Sequence, residues 1–150
     1  MAIKDRRGLE GMPLKLLIVS LLISLSAPIV LSSLGTFQTK TAVSETLSAA
    51  EQIRETITAT YISGPGNHRV MDSPLSDNKC TIEIGGDLDL AESMVIKVEH
   101  DGGVDRVYLS DPAVRVTSID HHPFQLTSGI ARISLTCVSD NGTYVVVGTA

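Results

Sequence analysis

Few residues of this 150-residue chain have the types and spacing that chemistry requires. The densest group of metal-capable side chains is Asp120-His121-His122. Adjacent residues of a strand point to opposite faces, so the two histidines could share a metal only within a loop. The following Pro123 favours such a loop, and a polar surface loop explains the same residues. We expect no metal site here.

A second group of carboxylates, Asp87, Asp89 and Glu92, lies along one short segment. Calcium takes about six to eight oxygen ligands and usually a glycine turn within the loop, whereas Gly85-Gly86 precede this segment. The chain also lacks a Gly-x-Ser-x-Gly elbow, a cysteine poised beside a histidine and a glycine-rich phosphate loop with a lysine. We therefore expect neither an enzyme nor a bound cofactor.

The two cysteines, Cys80 and Cys137, each share one face of a predicted strand with aliphatic residues. An even cysteine count in a domain outside the membrane favours a disulfide. We predict a Cys80–Cys137 bridge, with two buried free thiols as the alternative.

Asn141-Gly142-Thr143 matches the acceptor pattern for N-glycosylation. Asn-Gly is equally the strongest short signal for a tight hairpin turn. Asn141 is therefore a candidate glycosylation site, and a plain turn is the alternative.

The element that organises the chain is an apolar run near the N-terminus. Leu16 to Thr39 contains no Asp, Glu, Lys or Arg. As a helix, Leu16 to Leu34 is about 28 Å long, close to the ~30 Å hydrocarbon core of a bilayer. Basic residues precede the run, which places the N-terminus in the cytoplasm. These are Lys4, Arg6, Arg7 and Lys15.

Three interpretations of this run compete. A cleaved secretory signal has a shorter apolar region and a small-x-small cleavage site, which Ser33-Leu34-Gly35 fits poorly. An uncleaved signal anchor fits both the charges and the length. The third interpretation depends on a family resemblance described below.

Small side chains recur every three to four residues within the run, at Ser20, Ser24, Ala27 and Pro28. Such a stripe lets another helix approach closely, and ordinary variation in an anchor is the alternative. Apolar residues then recur at steps of three and four with charges between them, which predicts an amphipathic helix over 35–62. They are Val43, Leu47, Ala50, Ile53, Ile57 and Tyr61.

Beyond the Gly64-Pro65-Gly66 break, short alternating runs between turn signals predict strands. Asp101-Gly102-Gly103 and Asp140-Asn141-Gly142 each predict a hairpin turn. We expect six or seven strands in an antiparallel sandwich-like head over 63–150. The predicted class is α+β, with a long N-terminal helix, apolar and then amphipathic, followed by an all-β head. The predicted strands cover 79–84, 94–99, 104–110, 113–119, 130–139 and 143–148.

Charge is distributed unevenly along the chain. From Thr41 onward there are 15 Asp and Glu against 7 Lys and Arg, a net charge of −8 with neutral histidines. Nucleic-acid binding depends on basic contacts to phosphates, so we expect no nucleic-acid partner.

Arg6-Arg7-Gly8 directly before Leu9, with an apolar helix close behind, resembles the precursor of an archaeal type IV pilin. The resemblance implies that a prepilin peptidase cleaves between Gly8 and Leu9 and removes leader 1–8. It implies a helix over 9–62, with 9–34 in the membrane and later in a filament core, and 35–62 on the head. It also implies a C-terminal strand at a sheet edge.

The function that this resemblance implies is structural. Subunits held in the membrane by one segment would assemble into a homo-oligomeric helical filament at the cell surface. Adhesion, motility and secretion stay open, as does any surface ligand. The alternative is a membrane-anchored envelope protein that does not polymerise, or an accessory pilin that binds a cell-surface partner.

Overall fold

The computed structural model describes residues 7–73, 75, 80–128, 130 and 132–150, with only the backbone for 7–12. The chain forms two compact units, Met1–Lys40 and Thr41–Ala150. The α+β class is confirmed, because one long N-terminal helix is followed by two sheets.

The helix, α1, runs from Arg7 to Ile62 without interruption over 56 residues and contains both Pro13 and Pro28. It ends where the sequence predicts. Gly64 adopts a left-handed backbone with φ of 90°, which costs glycine little. The Asn67 side-chain amide then donates to the carbonyl oxygens of Ser63 and Gly64, at 2.6 and 3.3 Å. In the last turn of the helix itself, the carbonyls of Ala59 and Tyr61 accept the N–H groups of Ser63 and Gly64 at 3.1 and 3.0 Å.

The second half of α1 packs on the head through a stripe of small and aliphatic residues. Ala50, Ile53 and Ile57 are fully buried, as the period predicts, whereas Val43, Leu47 and Tyr61 are only partly buried. The buried stripe is centred on a slightly different helix face from the predicted one. It includes further residues whose small side chains allow close approach to the sheets. These are Ala42, Thr46, Ala49 and Thr60.

Within the part of the chain that the structure describes, eight strands form two four-stranded sheets. The first has the order β1-β7-β8-β5 and the second β4-β3-β2-β6. A short 3₁₀ turn, Ala91–Met94, precedes β3. The strands are β1 His68–Asp72, β2 Thr81–Ile84, β3 Val95–His100, β4 Gly103–Tyr108, β5 Val116–Ser118, β6 Phe124–Leu126, β7 Arg132–Ser139 and β8 Thr143–Thr149.

Both predicted hairpins, β3–β4 and β7–β8, are present and antiparallel. Other expectations were wrong. Strands β1 and β6 were not predicted, and β5 pairs with β8 in parallel. The C-terminal strand β8 lies inside its sheet, between β7 and β5, and not at the edge.

One aliphatic core joins the two sheets and the helix residues from Ala49 to Ile57. The link between the sheets is tight at Gly85-Gly86. Gly86 N–H donates to the carbonyl of Val116 on β5 at 3.1 Å, and Gly85 has φ of 67°. A Cβ on Gly85 would overlap the Val116 carbonyl oxygen, so only glycine fits this crossing.

Candidate functional site: an exposed apolar helix surface

The largest chemically distinct surface is the first half of α1. Every residue from Pro13 to Thr41 is exposed. Its large apolar side chains are between 47% exposed, at Ile18, and 70% exposed, at Leu16. Apolar surface of this extent exceeds what a monomer in water normally leaves uncovered. Among the described residues, this helix is long and apolar enough to cross a membrane, and its most apolar stretch is not buried.

The hydroxyl groups of this surface are satisfied within the helix itself. Ser20 Oγ donates to the Leu17 carbonyl at 2.9 Å, and Ser24 Oγ donates to the Ser20 carbonyl at 2.8 Å. The same pattern continues at Ser26, Ser32, Ser33, Thr36 and Thr39. Because no hydroxyl needs water, the surface can face lipid or another apolar helix without leaving a donor unpaired.

The predicted small-residue stripe lies on this surface. Ser20, Ser24, Ala27 and Pro28 are all exposed and helical. Lys15 and Lys40 bound the uncharged segment, which spans about 36 Å at the helical rise. That length covers a hydrocarbon core of ~30 Å with a short margin at each end.

The side chains of the residues predicted for leader processing lie outside the described part of the structure. Arg6 lies outside the described residues, and of Arg7, Gly8 and Leu9 only the helical backbone is described. Cleavage between Gly8 and Leu9 stays a prediction.

The two groups considered for metal binding are exposed turns. His121 has φ of 59°, and its N–H donates to the carbonyl of Ser118 at 3.1 Å. Asp87 uses its carboxylate to accept the N–H of Asp89 at 3.2 Å. Among the described residues, no three His, Cys, Asp or Glu side chains are grouped closely enough to hold a metal ion.

The cysteine prediction needs correction, since both cysteines are free thiols. Each side chain is buried as predicted, with Cys80 5% and Cys137 1% exposed. Cys137 lies on β7 of one sheet, whereas Cys80 directly precedes β2 of the other. Alternation correctly turns both side chains inward, but it does not bring them together. Burial raises the pKa of the Cys137 thiol, so the thiolate is disfavoured.

Asn141 is exposed at the tip of the β7–β8 hairpin with φ of 52°. Asp140 N–H donates to the Gly142 carbonyl at 3.1 Å, which closes the predicted turn. The side chain is accessible to a modifying enzyme, and glycosylation stays a prediction.

Sequence reasoning missed a charged cluster on the outer face of the second sheet. Lys97 Nζ contacts Glu83 at 2.9 Å and Glu92 at 3.3 Å, and its side chain is only 18% exposed. The hydrogen bond to Glu83 holds the pKa of Lys97 above its ordinary value. Alternating Glu83 and Lys97 on adjacent predicted strands was the available signal, but strand order is needed to pair them.

The head also carries a shallow apolar groove of about 330 Å³ beside the start of β3. Tyr108 and Met94 line it, and none of the described residues that line it is charged. A groove of this kind can hold an apolar group.

Comparisons of the chain with family models, curated proteins and solved structures found no match. Its class is therefore defined by its own features: an α+β chain whose first unit contains an exposed apolar helical segment that could cross a membrane.

Proposed function

We propose that this protein is a structural subunit that is held in a membrane by α1 and assembles through the same helix into a surface filament. The observation that carries the proposal is the complete exposure of an uncharged helical segment, Leu16 to Thr39. Such a surface requires an apolar environment, which lipid supplies before assembly and neighbouring copies supply afterwards.

Two features favour helix packing over anchoring alone. The small residues Ser20, Ser24 and Ala27 permit close approach of a second helix. Furthermore, hydroxyls that are already bonded to their own backbone lose nothing when a neighbouring helix replaces lipid.

The leader motif supplies the order of events. The resemblance of Arg6-Arg7-Gly8-Leu9 to archaeal type IV pilin precursors implies that a prepilin peptidase cuts after Gly8 on the cytoplasmic side. The apolar helix then stays on the mature protein, which leaves the bilayer as the filament grows. The head lies outside the cell, in keeping with its acidic composition and the basic residues before the helix.

The first test is the mature N-terminus in cells that contain a prepilin peptidase. Mass spectrometry should find a chain that begins at Leu9. Gly8→Val should leave the precursor intact, and the matched variant Gly11→Val should still be processed. An uncleaved wild-type chain would contradict processing.

The second test is electron microscopy of surface filaments with an antibody against the head. Filaments that contain the protein, and their loss in a Ser20→Leu, Ser24→Leu double variant, are expected. If the protein is present at the cell surface but no filament contains it, the second candidate, a membrane-anchored envelope protein, is favoured instead. The membrane-crossing length of α1 supports that candidate equally well.

A further inference from the structure

The turn between β3 and β4 is closed by a histidine side chain. Gly102 N–H donates to Nδ1 of His100 at 3.0 Å, and Nε2 of the same ring lies 3.1 Å from Oδ2 of Asp105. The ring lies against Gly102, since a Cβ there would come within 3.1 Å of the His100 Cε1. The His100 side chain is 15% exposed, so the ring is held between the turn and the strand.

These contacts define one protonation state. Because Nδ1 accepts a hydrogen bond, it carries no proton, and the proton of the neutral ring is on Nε2. Nε2–H then donates to the Asp105 carboxylate. Both ring nitrogens are therefore satisfied only while His100 is neutral.

We propose that His100 makes the β3–β4 turn a pH-sensitive element of the head. Protonation places a hydrogen on Nδ1, which then faces the Gly102 N–H as a second donor. The turn amide loses its acceptor, while the new positive charge strengthens the contact with Asp105. Acid thus breaks the hydrogen bond between the ring and the Gly102 amide of the turn, while the ring keeps its contact with Asp105 on β4. Histidines change protonation state between about pH 8 and 5, within the range that a surface protein meets.

Three carboxylates lie near this turn, on β3, on β4 and in the turn itself. Asp105 is the charged group that β4 directs toward the ring. Asp101 adjoins it in the turn, and Glu99 lies on the opposite face of β3, where it pairs with Thr81 of β2. Among the described residues on the β2 side, Cys80 directly precedes Thr81.

The test is nuclear magnetic resonance of the isotope-labelled full chain in detergent micelles. The neutral ring should show an unprotonated Nδ1 and a protonated Nε2, and acid should place a proton on both nitrogens. The protection of the Gly102 amide against solvent exchange should fall on the order of fivefold over the same titration. A protonated Nδ1 in the neutral ring, or a Gly102 amide that does not follow His100, would overturn the proposal.

Two variants distinguish the effect of His100 protonation on the Gly102 amide from a general effect of acid on the head. His100→Asn keeps an oxygen acceptor close to the position of Nδ1 but cannot titrate, so Gly102 should stay protected down to pH 5. His68→Asn is the matched control, since His68 contacts Thr136 on the other sheet. It should leave the Gly102 response unchanged. If Gly102 still loses protection in acid in His100→Asn, the role of His100 is refuted. If a variant does not fold, the protonation of the two ring nitrogens in the wild-type chain still tests the proposal.

Discussion

Replacing Ile57 by alanine tests whether the second half of α1 is part of the core of the head. Ile57 is 0% exposed and belongs to the cluster that joins the helix to both sheets. The matched control is Ile62→Ala, five residues later on the same helix, where the side chain is 70% exposed. The chemical change is identical at the two positions, and burial is the main difference between them, although Ile62 is also the last residue of the helix.

The expected magnitude follows from the atoms removed. Three carbons leave a buried site at about 0.8 kcal/mol each, which gives about 2.4 kcal/mol of lost transfer free energy. Cavity space that the neighbours do not fill adds about 1.2 kcal/mol for each ~50 Å³. We expect Ile57→Ala to lower the free energy of unfolding by about 3–4 kcal/mol. Ile62→Ala should change it by less than about 0.5 kcal/mol.

The assay is urea unfolding in detergent, followed by tyrosine fluorescence. The chain has no tryptophan, and its three tyrosines, Tyr61, Tyr108 and Tyr144, all belong to the unit Thr41–Ala150. The signal therefore reports the head and not the apolar half of the helix. If the two variants lose equal stability, or if Ile57→Ala loses less than about 1 kcal/mol, the proposed docking of the helix is wrong.

Three further changes have defined outcomes. Gly85→Ala should cost at least about 2 kcal/mol, because the new Cβ overlaps the carbonyl of Val116 and φ is 67°. Lys97→Met should lower the free energy of unfolding by about 1–3 kcal/mol, because the Glu83 carboxylate, whose side chain is 16% exposed, loses its partner. The raised pKa of Lys97 stabilises the fold below pH ~10, and this part should disappear as pH rises further. Cys80 and Cys137 should react with a thiol reagent only after unfolding.

Each of these has a control and a contrary result. Gly64→Ala combines φ of 90° with open space, so its loss should be clearly smaller than that of Gly85→Ala. Arg106→Met removes an exposed cation directly opposite Lys97 and should change stability little, and equal losses would contradict the ion-pair argument. For the thiols, unfolding without reductant should release two reactive groups per chain, and zero would restore the predicted disulfide.

Much of the fold was predictable because its signals are local. Composition and period mark α1, Gly64 marks its end, and glycine-containing turns mark the two hairpins. Strand β1 was missed because its residues are mostly exposed and do not alternate, so its pairing with β7 is what makes it a strand. The parallel pairing of β5 with β8 also depends on partners far apart in sequence.

The site shows the same division between local and long-range information. The exposed helix surface was evident from its uncharged composition, whereas the His100 contacts depend on a turn geometry that the letters Asp101-Gly102-Gly103 do not specify. Cys80 and Cys137 illustrate the limit most clearly. Alternation predicted on which face of its strand each cysteine lies. The distance between two cysteines on different sheets, however, depends on strand order and register.

The contrast within α1 carries the functional argument furthest. Both halves have the same secondary structure, yet after Thr41 one face is buried in the head, and before it every described side chain is exposed. Intrinsic helix propensity cannot explain why an apolar helix should extend uncovered, because burial supplies most helical stability in proteins. The described residues of one chain therefore do not supply a cover for the first half. In the function proposed above, lipid covers this half before assembly and neighbouring subunits cover it afterwards, and a small-residue surface whose hydroxyls are already bonded would let one replace the other at little cost.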